Sequence, residues 1–139
     1  MHTTQNLSHL EAQTVITAIQ AELERRGKSA VIAVADAHGE LLAVLRVSGA
    51  ALPSIGIAQN KAFTAARERK PSFEIGQASR HPTDGFDTRY FGDSRYIGWG
   101  GGLPVWAGDS CVGAVGVSGL PESEDIELAQ LGIDALELS

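Results

Sequence analysis

The sequence predicts an α+β protein in which an antiparallel sheet is covered by helices. Segments with apolar residues at helical spacing alternate with pairs of short apolar runs, and a turn-forming sequence joins each pair, as in a β-hairpin. The resulting order is helix, hairpin, helix, loop, hairpin, helix, which lacks the strand-helix-strand repeats of a parallel sheet. A length of 139 residues suits one hydrophobic core, so we expect residues 1–139 to form a single domain.

A first helix is predicted from Ser8 to about Arg26. Ser8 and Glu11 have the spacing of a capping box, in which each side chain accepts a hydrogen bond from the other residue's backbone N–H. Gly27 supplies the left-handed residue that commonly follows the last turn of a helix. The apolar face of this helix consists of Ala12, Val15, Ile16, Ile19 and Leu23.

A first hairpin is predicted to follow. Residues 30–35 form an unbroken apolar run, residues 36–39 have turn chemistry, and residues 41–47 are largely apolar again. Because the first run has no polar alternation, we expect its strand to be covered on both faces of the sheet.

A second helix is predicted to begin at Pro53 and Ser54, and it must end by Lys70 because Pro71 disfavours a helical residue before it. Its apolar face is built mainly of small side chains, which allow the helix backbone to approach the sheet closely. These residues are Ile55, Ala58, Ala62 and Ala65. Residues 72–79 are predicted to add one short helical turn.

The second half of the chain begins with a long loop, residues 80–102, that is rich in polar, aromatic and glycine residues. Loops of this length in a small domain commonly bind ligands, and a short strand is predicted within it at residues 96–99. Residues 103–107 and 111–118, joined by Gly108 and Asp109, predict a second hairpin. A last helix is predicted from apolar residues at helical spacing, which are Ile126, Ala129, Ile133 and Leu136.

Composition excludes several classes of protein. The longest apolar run is too short to cross a bilayer, and the polar residues 1–6 carry no lysine or arginine of a secretory leader, so we expect a cytoplasmic protein without a membrane partner. The net charge of −6 argues against a nucleic-acid partner. A single cysteine, Cys111, excludes an internal disulfide and a cysteine-rich zinc site. Basic residues outnumber acidic ones between Lys61 and Arg95, and we expect that region to face an anion.

Three motifs that suggest a reactive site lack the context their chemistry needs. The glycines at 98 and 100–102 are not followed by the lysine and helix of a phosphate-binding loop, which leaves a tight bend or a backbone anion nest. Ser118 is preceded and followed by glycine but has no helix after it, so we reject it as an esterase nucleophile. His81, Asp84 and Asp87 are metal-ligand types at intervals of three, but they are also ordinary turn residues, and no metal site is predicted.

Two basic residues are candidates for binding an anion. Lys61 adjoins the alanine face of the second helix, where a partly buried ammonium needs an anionic partner, although an exposed lysine is the open alternative. Arg46 stands among apolar neighbours at the end of the second strand, where an arginine usually has a planar acceptor from the protein or from a ligand.

Four separated strings resemble the haem-degrading, GlcG-type (HbpS-like) domain family. They are AVIAVADAHGELLAVLRVSGA at 30–50, LPSIGIAQNKAFTAA at 52–66, GGGLPV at 100–105 and VGAVGVSG at 112–119. The resemblance implies a profilin-like fold with a five-stranded antiparallel sheet. It also implies homo-oligomers, from dimers up to octamers, with a ligand site near the subunit interface. Some members bind haem, and others accompany the catabolism of small organic acids. His38 stands where the family usually has glycine, and this departure favours a polar, acidic small molecule over haem.

Two functions remain open at this level. The first is an oligomeric module that binds a small anion, either haem or an organic acid, and its expected binding residues are Lys61, Arg46, Arg89, Trp99, Gly100, Gly101 and Gly102. The second is a cofactor-independent enzyme, of the tautomerase, hydratase or deaminase type, that acts on an unsaturated or keto acid. In that enzyme His38, Asp87 or Tyr90 would move the proton while backbone N–H groups of residues 100–102 stabilise an oxyanion.

Overall fold

The structure is a computed structural model that describes residues 1–138, and its elements follow the predicted order. The helices are α1 (His9–Arg26), α2 (Ser54–Glu68), α3 (Ser72–Ser79) and α4 (Glu122–Asp134). The strands are β1 (Val31–Asp36), β2 (Leu41–Arg46), β3 (Gly102–Ala107) and β4 (Ser110–Ser118). A single 3₁₀ turn, Thr88–Phe91, interrupts the long loop within this described part of the chain.

The strands form an antiparallel sheet in the order β2-β1-β4-β3. Within residues 1–138 this sheet has four strands, so the predicted fifth strand is wrong. The segment at 96–99, which was expected to be a strand, bonds elsewhere: the N–H of Ile97 donates to Oγ1 of Thr64 at 3.0 Å, and the Ser72 hydroxyl donates to the Trp99 carbonyl at 2.7 Å. These backbone groups are satisfied by helix side chains, and no sheet ladder forms.

The first helix has the caps that its sequence predicts. Oγ of Ser8 accepts from the N–H of Leu10, and Oε1 of Glu11 accepts from the N–H of Ser8 at 3.1 Å. Gly27 ends the helix with a φ of 67°, in the left-handed region. The predicted apolar face is buried in full.

Helices cover both faces of the sheet. On one face, α1 and α4 pack over Ile32, Val34, Val115 and Val117 in the main hydrophobic core. On the other face, α2 packs on β1 and β4. Strand β1 is therefore buried on both sides, as its unbroken apolar run predicts.

Helix α2 lies unusually close to the sheet. Ala58 and Ala62 face the alternate residues of β1 and the glycine at position 116 of β4. A Cβ at Gly116 would collide with the carbonyl oxygen of Ala58 and lie 2.7 Å from the backbone nitrogen of Ala62. The small side chains on both sides permit this approach, which places Lys61 of α2 next to the start of β3 and the end of β4.

The long loop is anchored to α2 by aromatic contacts. Phe63 meets Tyr96 edge-to-face with ring centroids 5.3 Å apart, and Phe91 stacks on Tyr96 at 4.2 Å. The guanidinium of Arg95 lies over the Phe63 ring at 3.9 Å, and the Tyr96 hydroxyl donates to Glu68 at 3.1 Å. This packing fixes the course of the loop towards Trp99 and the glycines that precede β3.

Helices α2 and α3 are separated by Pro71. Helix α3 is eight residues long, which exceeds the single turn expected there, and α2 ends before Pro71 as predicted, with Arg69 in a left-handed conformation at φ 56°. None of the helices in residues 1–138 is both long and apolar enough to span a bilayer.

Candidate functional site

A cavity of about 510 Å³ opens where α2, the end of the long loop, the end of β4 and the start of α4 meet. The size lies within the range of small-molecule sites, about 300–1,000 Å³. Its lining residues are Ser54, Lys61, Trp99, Gly100, Ser118, Gly119, Leu120, Glu122 and Asp125. We call it the Lys61 cavity.

Lys61 is buried, with 3% of its surface exposed, so the exposed alternative is excluded. Its Nζ donates to the Val117 carbonyl at 2.8 Å and to Oδ2 of Asp125 at 3.2 Å. An ammonium has three N–H donors, and these two partners occupy two of them. The third donor is available to a ligand in the cavity.

Asp125 is the anionic partner that a buried ammonium needs. Its Oδ1 accepts from the N–H of Leu120 at 3.1 Å, so both carboxylate oxygens are bonded. Burial raises the pKa of Asp125 and lowers the pKa of Lys61, and the attraction between the two charges opposes both shifts. The two pKa values therefore move towards each other.

Gly101 makes room for the ammonium. Its φ is 125°, in the region that favours glycine, and a Cβ there would lie 2.8 Å from Nζ of Lys61 and 2.6 Å from the Val117 carbonyl oxygen. The triple glycine is therefore a tight bend that closes over the lysine tip, which is one of the two alternatives left open by the sequence. Gly101 and Gly102 support the Lys61 cavity from behind, whereas Gly100 is part of its lining.

Two serine hydroxyls also face the Lys61 cavity. Ser54 begins α2 and Ser118 ends β4, and each residue is only 5% exposed. Among residues 1–138, neither side chain forms a hydrogen bond, and both oxygens remain accessible from the cavity. Buried hydroxyls are usually satisfied, so this pair is available to a bound molecule.

The mouth of the cavity is acidic and aromatic. Oε2 of Glu122 accepts from the N–H of Gly100 at 2.7 Å, and the indole of Trp99 is 57% exposed beside it. One ammonium and two carboxylates line the cavity, so its formal charge is −1. An anionic ligand must therefore be held by directed hydrogen bonds, because the cavity has no net positive charge.

The other predicted site residues lie outside this lining. Arg46 is exposed at the end of β2 and has no acidic partner within residues 1–138, so the expected planar acceptor is not found there. Asp87 and Arg89 form an exposed ion pair of 2.6 Å at the 3₁₀ turn, next to Tyr90, which is 86% exposed. His38 lines a different cavity. The structure therefore groups Lys61, Trp99 and Gly100 and separates them from these five residues.

Sequence reasoning assigned no binding role to four polar residues of the cavity: Ser54, Ser118, Glu122 and Asp125. The sequence indicates Ser54 only as a helix start and Ser118 only as a rejected nucleophile, and it assigns no role to the acids of the last helix. One signal was present for Asp125, because it shares the buried face of α4 with Leu128 and Ala129. A carboxylate at a core position predicts a buried cation nearby.

Across residues 1–138, no group of three or more histidine, cysteine, aspartate or glutamate side chains could hold a bare metal ion. His81 instead accepts hydrogen bonds at Nδ1 from the backbone of Thr83 and Asp84, as a turn residue does.

Comparisons with known proteins agree with this fold. A family model described as haem degrading protein HbpS-like matches residues 7–134. GlcG of Escherichia coli K12 is 36% identical over 112 residues, which cover 81% of this chain and 81% of GlcG. The crystal structure of Klebsiella pneumoniae protein ORFY matches with a TM-score of 0.89 and 30% identity, and covers 99% of this chain and 97% of that chain.

A further solved structure is a complex of PduOC with haem. It matches with a TM-score of 0.86 and 24% identity, and the match covers 96% of this chain and 97% of that chain. At this identity the likeness shows a common fold.

Proposed function

Because the chain belongs to the HbpS-like haem-degrading family, we propose that it is an oligomeric binding protein that takes a small organic acid in the Lys61 cavity. One observation carries this proposal: the ammonium of Lys61 and the unpartnered hydroxyls of Ser54 and Ser118 converge on one cavity. All three groups donate hydrogen bonds, and a carboxylate accepts several.

The charges of the cavity lining restrict the class of ligand further. Asp125 offsets the charge of Lys61, and Glu122 adds a negative charge at the mouth. A purely anionic ligand would meet repulsion there, whereas a ligand that also carries a hydroxyl could donate to Glu122. We therefore expect hydroxy acids to bind better than keto acids of the same length.

Trp99 and the neighbouring loop support a site near a subunit interface. The indole of Trp99 and the ring of Tyr90 are largely exposed, and edge strand β2 presents Leu41 and Val44 to solvent. Exposed aromatic and aliphatic residues of this kind are typical of surfaces that become covered in an assembly. In such an assembly, exposed Arg46 and Arg89 would face a neighbouring subunit or its ligand. Light scattering after gel filtration tests the oligomer.

A second candidate function is supported by the pKa values. Nζ of Lys61 and Oδ2 of Asp125 lie 3.2 Å apart in the cavity lining, and burial moves the pKa of Lys61 down and that of Asp125 up. On this alternative the protein is a cofactor-independent enzyme on an unsaturated or keto acid, with Lys61 and Asp125 moving the proton in place of His38, Asp87 or Tyr90. Deuterium exchange into the bound acid, followed by NMR, distinguishes an enzyme from a binding protein.

Haem does not fit the Lys61 cavity. A haem iron needs an axial histidine, cysteine, methionine or tyrosine. The lining residues within the described part of the chain include none of these types. The Lys61 cavity therefore suits an organic acid.

The proposal is tested by calorimetry with a panel of two- to six-carbon hydroxy, keto and unsaturated acids. The double variant Ser54→Ala/Ser118→Ala should bind roughly tenfold or more weakly, since a hydrogen bond to a charged group is worth about 1.5–3 kcal/mol. Its stability should be close to that of the wild type because neither hydroxyl has a protein partner to lose. Ser123→Ala, on the exposed side of α4, is the matched control. Binding of no acid in the panel, or equal binding by the double variant, would refute the proposal.

A further inference from the structure

Lys61 brings a primary amine into the wall of the Lys61 cavity and holds it at a fixed place. Its Nζ lies 2.8 Å from the Val117 carbonyl oxygen and 3.2 Å from Oδ2 of Asp125, and the bend at Gly101 closes over the tip. The side chain also belongs to the cavity lining, so its remaining direction is towards a bound molecule. A lysine amine that faces a ligand can form a covalent bond to carbon as well as hydrogen bonds.

An amine attacks a carbonyl group only in its neutral form, and the surroundings of Lys61 favour that form. The residue is 3% exposed, and this burial lowers the pKa of Lys61 although the charge of Asp125 opposes the shift. Burial likewise raises the pKa of Asp125, which makes its carboxylate a more basic acceptor for the proton that Lys61 must lose. Desolvation is one of the ways in which lysine nucleophiles are activated.

Two serine hydroxyls in the same cavity supply a place for a carboxylate. Ser54 and Ser118 are each 5% exposed and have no hydrogen-bond partner within residues 1–138. Ser54 lies two turns before Lys61 on α2, and therefore on the same face of the helix. Ser118 directly follows Val117, whose carbonyl bonds Nζ. A 2-keto acid carries a carboxylate and an electrophilic carbonyl carbon on adjacent atoms, which matches hydroxyls and an amine on adjoining parts of one wall.

We propose that Lys61 forms an imine with the carbonyl group of a short 2-keto acid whose carboxylate is bound by Ser54 and Ser118. This inference rests on the proposed function, because it uses the same cavity and an acid of the same class. It adds covalent capture of the ligand at Nζ, which neither simple binding nor proton transfer includes.

The atoms and charges of this step balance within the cavity. Oδ2 of Asp125 takes a proton from the ammonium, and Nζ then bonds to the carbonyl carbon while the proton it loses passes to the carbonyl oxygen, which gives a carbinolamine. Asp125 returns its proton to that hydroxyl, the C–O bond breaks, and one water leaves as the C=N bond forms. The product is a protonated imine beside a restored carboxylate, so no oxidant, reductant or cofactor is required.

Covalent capture is compatible with the tighter reversible binding expected for hydroxy acids. A keto acid has no hydroxyl that could donate to Glu122 at the mouth of the cavity. After Nζ has added, the former carbonyl oxygen is a hydroxyl and can donate. The group that favours a hydroxy acid therefore also favours the carbinolamine.

Reductive trapping tests this inference. The full chain is incubated with pyruvate and sodium cyanoborohydride, which reduces an imine to a stable amine, and the label is located by peptide mass spectrometry. The chain has three lysines, so the exposed Lys28 and Lys70 serve as internal controls. Lys61 should gain the mass of pyruvate less one oxygen atom at least about tenfold faster than either control, because a bound carbonyl is held beside the amine. Its labelling should saturate with pyruvate, whereas that of the controls should rise in proportion.

Three further experiments connect the label to the acid site. Ser54→Ala/Ser118→Ala should lower the labelling of Lys61 roughly tenfold below saturation, in line with its weaker binding of acids. Lactate, which has no carbonyl group, should protect Lys61 and leave Lys28 unprotected. Acetone, which has no carboxylate, should label Lys61 no faster than Lys28.

The outcomes separate this inference from the proposed function. Calorimetric binding of acids without faster labelling of Lys61 overturns the imine and leaves the binding proposal standing. Labelling of Lys61 that the double serine variant does not weaken overturns the role of the two hydroxyls, and equally fast labelling by acetone overturns the assignment to keto acids. An absence of both binding and labelling refutes both proposals.

Discussion

Nζ of Lys61 lies 3.2 Å from Oδ2 of Asp125, and the two side chains are only 4% and 3% exposed. The pair joins α2 to the start of α4 across the end of β4, where Nζ also bonds the Val117 carbonyl. Both charges are almost fully buried, so neither can be left alone without a large cost in free energy. The pair therefore ties α2 to α4 at the wall of the Lys61 cavity.

Removing either charge should destabilise the fold more than removing both. Lys61→Met should lower the free energy of unfolding by about 3–5 kcal/mol, because the carboxylate of Asp125 is left buried without a partner. Lys61→Met/Asp125→Asn should recover much of this loss. Urea denaturation of the two single variants and the double variant gives the coupling energy. Additive losses would contradict a buried, coupled pair.

The close approach of α2 to the sheet predicts opposite effects for two glycines. Gly116→Ala should destabilise by about 1–3 kcal/mol or more, because its Cβ meets backbone atoms of Ala58 and Ala62 that cannot move aside. Gly56 belongs to α2 itself and has open space where a Cβ would be added, so Gly56→Ala should raise the free energy of unfolding by about 0.5–1 kcal/mol. Thermal unfolding measures both. A stable Gly116→Ala protein would show that the helix is packed less tightly.

Glu122 should weaken the binding of simple anions. Glu122→Gln keeps an oxygen for the Gly100 N–H and removes the negative charge at the cavity mouth. Carboxylates should then bind roughly two- to fivefold more tightly, since interactions of exposed charges are worth up to about 1 kcal/mol. The gain should shrink at high salt. Calorimetry at two ionic strengths checks this, and weaker binding of a hydroxy acid would identify Glu122 as its acceptor.

Acid should weaken the ion-pair network at the C-terminal end of α1. The guanidinium groups of Arg25 and Arg26 lower the pKa of Glu22 to about 2, from an ordinary value of 4.5. Because the folded pKa is the lower one, the stabilisation is complete above pH 4.5 and is lost as the pH falls towards 2. Arg26 also bonds Glu124 and Glu127 of α4, so the network spans both helices.

The variant Glu22→Gln checks this dependence. It should be less stable than the wild type at neutral pH, and the difference should disappear near pH 2. Urea midpoints measured from pH 7 to pH 2 follow the effect. Glu137→Gln, at an exposed position without a cationic partner in residues 1–138, should leave the profile unchanged. A constant difference between Glu22→Gln and the wild type at all pH values would exclude the ion pair as the cause.

Much of the fold is readable from local signals. The capping box at Ser8, the glycine after α1 and the unbroken run of β1 each report on the conformation or burial of their own segment. The segment at 96–99 was wrongly expected to be a strand because its backbone bonds are made to Thr64 and Ser72, which are remote in sequence. Local residue types do not report such partners.

In the candidate site too, the sequence predicts the features that depend on neighbouring residues and not those that depend on remote ones. The alanine neighbours of Lys61 on α2 indicate a buried lysine, and the glycines at 100–102 indicate a tight bend. The counter-ion of Lys61 is Asp125, which lies 64 positions further along the chain. Its place beside Lys61 depends on how α4 begins over the end of β4. Likewise, Arg46, Asp87, Arg89 and Tyr90 have suitable chemistry, but the fold carries them away from the cavity.

By itself, the sequence determined the order of helices and hairpins, the main caps and turns, and the thin face of α2, because each depends on residues within one or two turns of chain. Only the tertiary structure decided the number of strands, the partner of Lys61, and the separation of His38 from Lys61 into two cavities. The physical reason is that pairing of buried charges and enclosure of a cavity are set by packing between segments far apart in sequence, which periodicity does not encode.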